Sequence, residues 1–159
     1  MGTKNSTLVA NFEALPQVAN SASLLHGVVR VAQGTIALAA GDSDDNDIVM
    51  LAPIPSNAVV SQLFIGSDTL GGSCTFNVGI YTSAGVVKDE DVFASLVADA
   101  AGMADVRFEA ANIDTAGKKM WELAGDSSDP GGYYYVAATM AADGQTAGTM
   151  SWNISYVVN

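Results

Sequence analysis

The last ten residues before the C-terminal asparagine allow only one kind of secondary structure. In residues 149–158, Met150, Trp152, Ile154, Tyr156 and Val158 are apolar, whereas Thr149, Ser151, Asn153 and Ser155 are polar. A period of two sorts these sets onto opposite faces of a strand; a helix would scatter them around its circumference. One face then meets a core and the other meets water, as in an antiparallel sheet.

Residues 47–81 repeat the message three times. Three β-rich runs (48–51, 58–65 and 75–81) are separated by the turn-forming clusters 53–57 and 66–73. Proline has a fixed φ and no amide proton, so Pro53 and Pro55 are expected to end one strand and redirect the chain. Upstream, 27–32 and 34–39 form one long apolar run with Gln33-Gly34 as an expected bulge, and residues 41–47 read as a solvated acidic loop. Downstream, Val92, Phe93, Leu96, Val97 and Ala100 recur at helical spacing, so residues 89–101 are expected to be a short helix ending at Gly102. Alternation returns at 105–109 with Val106 and Phe108 inward, and 117–125 fits a helical turn closed by Gly125 slightly better than a strand. A turn at 126–132 precedes the strand 133–140.

About eight strands, one short helix and no βαβ rhythm specify an all-β chain: an antiparallel β-sandwich of jelly-roll type. Phe64, Phe76, Phe108, Trp121 and Trp152 are the expected large core fillers. Residues 1–25 are different in kind, being small, polar and interrupted by Pro16. They read as an extended N-terminal arm, with a helical spacing at Leu8, Phe12 and Leu15 too short to hold a helix unaided. The domain organisation is thus an arm, 1–25, and a single sandwich domain, 26–159.

Composition narrows the partners. Charged residues make up 14% of the chain, against about 25% in ordinary domains. A surface so poor in ions is expected to be buried against copies of itself or a partner. The formal net charge is −11, and the six Lys and Arg are scattered, so no nucleic acid is expected as a partner. The most apolar stretch, 27–41, is interrupted by Arg30 and Gln33, and the N-terminus has no apolar signal core; no membrane partner and a cytoplasmic origin are expected.

Residue groupings that could carry chemistry are few. Asp42, Asp44, Asp45 and Asp47 offer oxygens to calcium, but an EF-hand loop counted from Asp42 would need Gly and Glu where Asp47 and Pro53 stand. A charged turn keeping a sheet edge soluble is the preferred reading, with no metal. One histidine, His26, and one cysteine, Cys74, make neither a zinc site nor a supported catalytic dyad. Glu13, Glu109 and Glu122 are available for acid/base work on sugars, yet nothing places two carboxylates together. Tyr133-Tyr134-Tyr135 could stack on sugar rings, although Tyr134 must point opposite to its neighbours on a strand. No cofactor and no catalytic residue are expected.

Several segments together resemble virion structural proteins of tailed bacteriophages, namely head decoration (cement) or minor capsid proteins. They are His26-Gly-Val-Val-Arg-Val, the run 47–60, Phe76-Asn-Val-Gly-Ile-Tyr, residues 87–93, and 117–125 with Asp129-Pro-Gly-Gly. The likeness extends over most of residues 26–158. It implies a non-enzymatic β-sandwich that sits as a homotrimer on the outer capsid surface of a virion and bridges neighbouring major capsid protein subunits. On that reading the arm orders on binding, with Leu8, Phe12 and Leu15 as its anchors. The alternative is a carbohydrate- or receptor-binding module of a tail fibre or spike, using Tyr133–Tyr135 or a loop rim.

Overall fold

The computed structural model describes residues 5–71, 73–99, 102–110 and 113–158. Among them, eight strands form two four-stranded sheets whose pairings are antiparallel. The strands are β1 (Val29–Leu38), β2 (Ile48–Pro55), β3 (Ala58–Ser67), β4 (Thr75–Tyr81), β5 (Val87–Ala98), β6 (Ala104–Asp105), β7 (Tyr133–Met140) and β8 (Gly148–Val158). The first sheet runs β1-β8-β3-β6 and the second β2-β7-β4-β5. First therefore pairs with last, second with seventh, third with sixth and fourth with fifth, which is the wrapping of a jelly roll. The expected sandwich is the observed one.

Inward residues of both sheets share one core. Leu63, Ile65, Met150 and Ile154 come from the first sheet; Phe76, Val78, Ile80 and Val136 come from the second. Each such side chain contributes about 1.5–3 kcal/mol on burial. Strand β8 behaves as its alternation requires: Met150 and Ile154 are buried, Trp152, Tyr156 and Val158 pack at the core margin, and Thr35 meets Ser151 (2.9 Å) on the outer face. Of the expected large fillers, Phe76 is fully buried and the two tryptophans pack at the rim. Phe64 instead pairs with outward Asn153 and is half-buried on the outer face.

Several local expectations are overturned. The pairing of β1 with β8 runs unbroken over ten residue pairs, so Gln33-Gly34 is not a bulge. Gly34 lies opposite Trp152, and a Cβ there would sit 2.6 Å from the indole Cζ2; glycine makes room for the ring. Pro53 does not end β2, which continues to Pro55 with Ile54 buried between the prolines. An edge strand tolerates missing amide protons on its unpaired side, and β2 is an edge.

The helix expected over 89–101 is strand β5 as far as Ala98; Ala100 and Ala101 lie outside the described residues. The misleading period comes from register breaks. The two-residue step from Val78 to Ile80 on β4 is matched by a five-residue step on β5, from Ala94 back to Asp89. The surplus chain crosses Gly79 at Asp89-Glu90, and Val92, Phe93 and Ala94 are buried in succession as part of the shared core. Leu96 then takes a left-handed φ of 53°, adding a second irregularity. Gly79 lies under the excursion: a Cβ there would collide with the backbone of Asp89 and Glu90.

Residues 105–109 are not a full strand. Strand β6 stops at Asp105, after which Val106 and Arg107 are buried while Phe108 is 41% exposed. The helical turn expected at 117–125 is present as α2 (Met120–Leu123), followed by Gly125 at φ 74°. The N-terminal segment is not wholly extended either. It holds a seven-residue helix, α1 (Thr7–Glu13), whose first turn is capped by the Ser6 hydroxyl accepting from the Val9 amide.

Candidate functional site: the N-terminal arm and the loop rim

Seven residues are too few for a free helix in water. Amide side chains hold α1 together instead. The Asn5 amide donates to Glu13 (3.0 Å), Asn20 donates to the Leu8 carbonyl (3.0 Å), and Asn11 donates to Asn20 (2.9 Å). These bonds close the arm on itself, and no residue of α1 is buried. Of the three expected anchors, Leu8 is half-buried, Phe12 is 63% exposed and Leu15 is 97% exposed. Val9 and Val18 are uncovered beside them. The arm therefore presents a cluster of apolar side chains that the described residues leave exposed. It joins the sandwich near Gly27, where a Cβ would strike the Ala22 carbonyl and Val157.

At the rim of the second sheet, the tyrosine run divides as strand geometry demands. Tyr134 is buried, Tyr135 half-buried and Tyr133 exposed. The Tyr134 hydroxyl donates to Asp126, which also accepts from Lys88 Nζ (2.7 Å). The Lys88 ammonium, then the Tyr134 hydroxyl, hold the Asp126 carboxyl below the usual range; burial and the same carboxylate push the Tyr134 phenol up. Asp129 is also held low, by the Ser56 hydroxyl and the Gly131 amide. Lys88, Asp126 and the tyrosines Tyr133 and Tyr134, with Ser127 and Pro130, line a shallow cleft of about 430 Å³, and Asp129 lies in the adjoining turn. Both carboxyls are thus set to stay ionised, which suits binding of hydroxyls or cations better than proton donation.

The other sequence candidates do not converge. In the acidic loop, Asp42 accepts from the Ala39 amide (2.8 Å) and Asp47 from the Asp44 amide (3.0 Å), so these carboxylates brace their own turn. Among the described residues, no three His, Cys, Asp or Glu are grouped to hold a metal ion. His26 lines a small cleft in the arm with Phe12, Val18 and Leu25. Cys74 is buried in the core against Met140 (3.9 Å), and burial, ahead of Asp99 and Asp143, pushes its thiol up. Glu109 accepts from the Ser95 amide (2.8 Å) and Glu122 from the Lys119 amide (2.7 Å); each supports local backbone.

One residue that sequence reasoning missed is Arg107. It is 1% exposed, with Nε donating to the Val60 carbonyl (2.9 Å), Nη1 to the Thr115 hydroxyl (3.1 Å) and Nη2 to the Thr115 carbonyl (3.1 Å). Phe93 and Phe108 lie 5.0 and 4.4 Å from its guanidinium carbon. This clamp explains why Phe108 is displaced outward: its ring covers the cation. Burial lowers the guanidinium pKa to about 10, against a smaller opposing pull from Asp105. A lone Arg between alternating apolar residues carries no sequence signal of burial.

No family model matches the chain, and no curated protein is similar to it in sequence. Solved structures of similar fold come from phage capsids. A chain in the capsid asymmetric unit of cyanophage Pam1 superposes with a TM-score of 0.59 at 18% identity, covering 100% of both chains. A chain in the capsid of Ralstonia phage GP4 aligns with a TM-score of 0.49 at 22% identity, over 84% of this chain and 86% of that one. One in the acidic stable capsid of Helicobacter pylori bacteriophage KHP30 aligns at 0.41 and 15%, over 82% and 88%. At 18% identity the cyanophage likeness is one of fold, shared from end to end of both chains.

Proposed function

We propose that the chain is a non-enzymatic structural protein of a tailed-phage virion, a decoration protein that binds the outer surface of the capsid and bridges major capsid subunits. The observation that carries this reading is the full-length fold likeness to a chain of the Pam1 capsid. The low charged fraction and the uncovered apolar arm support it. In this role the arm is the attachment element: Leu8, Phe12 and Leu15 leave water on contact with the capsid, offsetting the entropy lost when the arm settles. Assembly as a homotrimer would place three arms on one capsid site and multiply a weak single contact.

The test is co-sedimentation with heads that lack the protein. Intact chain should pellet with the heads, and a chain lacking residues 1–25 should stay in solution. Equal pelleting of the two would remove the arm from the mechanism, and no pelleting of the intact chain would remove the decoration role. A second reading has one observation behind it: the exposed Tyr133 ring stands over a cleft of hydroxyls beside the Lys88–Asp126 pair. This arrangement fits a carbohydrate-binding module of a tail fibre or spike. Saturable glycan binding lost in Tyr133→Ala would favour it.

A further inference from the structure

Four strands end the two sheets, and three of them carry devices that stop other chains from pairing. Strand β6 is two residues long. Strand β2 contains Pro53 and Pro55 and a register shift between Met50 and Ala52. Strand β5 has three register irregularities and the charge run Lys88-Asp-Glu-Asp91. Strand β1 has none of these. It is ten residues long, pairs with β8 in unbroken register, contains no proline and carries one charge, Arg30. Val29 and Val31 on it are more than half exposed, as is Val28 just before it.

We propose that β1 is a self-association edge, pairing antiparallel with β1 of a second copy about a two-fold axis. Charge selects this occupant. Of six basic and 17 acidic residues, only Lys4, Arg30 and Glu13 fall within residues 1–38. Two copies of so acidic a chain repel over most of their surfaces; at the Leu38 end of β1, where Asp42 and Asp47 line a cleft with Ile36 and Leu38, antiparallel pairing brings up the Arg30 end of the second copy. A basic partner would be drawn to the acidic remainder instead. Antiparallel pairing of a strand with itself is inherently two-fold, so one surface supplies every donor and acceptor. With the axis at Gln33, Val31 lies opposite Thr35 and Arg30 opposite Ile36, so the guanidinium does not face its copy. The outer face of β1 and β8 already forms an uncharged ladder, Thr35 to Ser151 and Asn153 to Gln33, which the pairing would continue into the second copy.

This contact goes beyond capsid attachment and is tested without capsids. Light scattering on the full chain should give an even number of copies: twice the 16.3 kDa of one chain, or six chains if combined with a trimer. Val31→Lys places an edge charge of the kind that blocks pairing, and should halve the mass while circular dichroism and the melting curve remain those of a folded sandwich. Val87→Lys, on the exposed margin of β5, should leave the mass unchanged. Hydrogen exchange supplies a second readout that does not depend on a variant: β1 amides should become more protected as protein concentration rises. A wild-type mass of one or three chains, a Val31→Lys mass equal to wild type, or β1 exchange independent of concentration would overturn the proposal.

Discussion

Arg107 shows how much a single buried cation can organise. Its three donors tie β3 to the turn around Thr115, and its two aromatic neighbours shield it from water. Arg107→Ala would remove its hydrogen bonds to Val60 and Thr115 and leave a cavity between Phe93 and Phe108, so a loss of about 3–5 kcal/mol is expected in denaturant titration. The Asp126 carboxyl makes a gentler prediction. Its pKa is depressed in the fold, so its stabilising contribution is present above the unfolded carboxylate pKa and lost as pH falls through the lower, folded value. Carbon-detected NMR titration should find Asp126 below ordinary aspartates, and Tyr134→Phe should move it upward by removing one donor. Neither residue could be assigned its role from sequence, because each depends on partners far along the chain: Val60 for Arg107 and Lys88 for Asp126.

Among elements, strands with a pairing broken once or not at all were legible, and β5, with three register shifts, was not. Strand β8 was readable because every second residue faces the same sheet surface throughout its length. Strand β5 departs from the helix its sequence suggests because register breaks let Val92, Phe93 and Ala94 enter the core together, which mimics the spacing of a helix. Glycine 79 is the position on which that excursion rests. Gly79→Ala should push the Asp89-Glu90 backbone away and cost about 1–3 kcal/mol, read as a lowered melting temperature. The same substitution at Gly125, where nothing lies within 4 Å, probes a different quantity: its positive φ alone sets the cost.

For the whole molecule, the expectation is that the sandwich folds without the arm, whose contacts with it include Ala22 at Gly27 and Leu24 at Gly117. The core cluster contains no residue before Leu38, and no residue of α1 is buried. A chain lacking residues 1–25 should therefore melt within about 2–4 °C of the intact one, the shift expected for roughly 1 kcal/mol in a domain of this size. A much larger drop would mean that the arm is part of the fold. The amino-acid order by itself determined that this chain is two apolar sheet faces pressed together, since period-two burial and turn residues are local properties that survive in one dimension. It also determined that so few charges sit in residues 1–38. Only the tertiary structure decided which strands became edges, that Arg107 went inside, and that the arm's apolar side chains stayed outside. Those outcomes depend on which distant segments meet, and pairing energies between them are not written in any local window of residues.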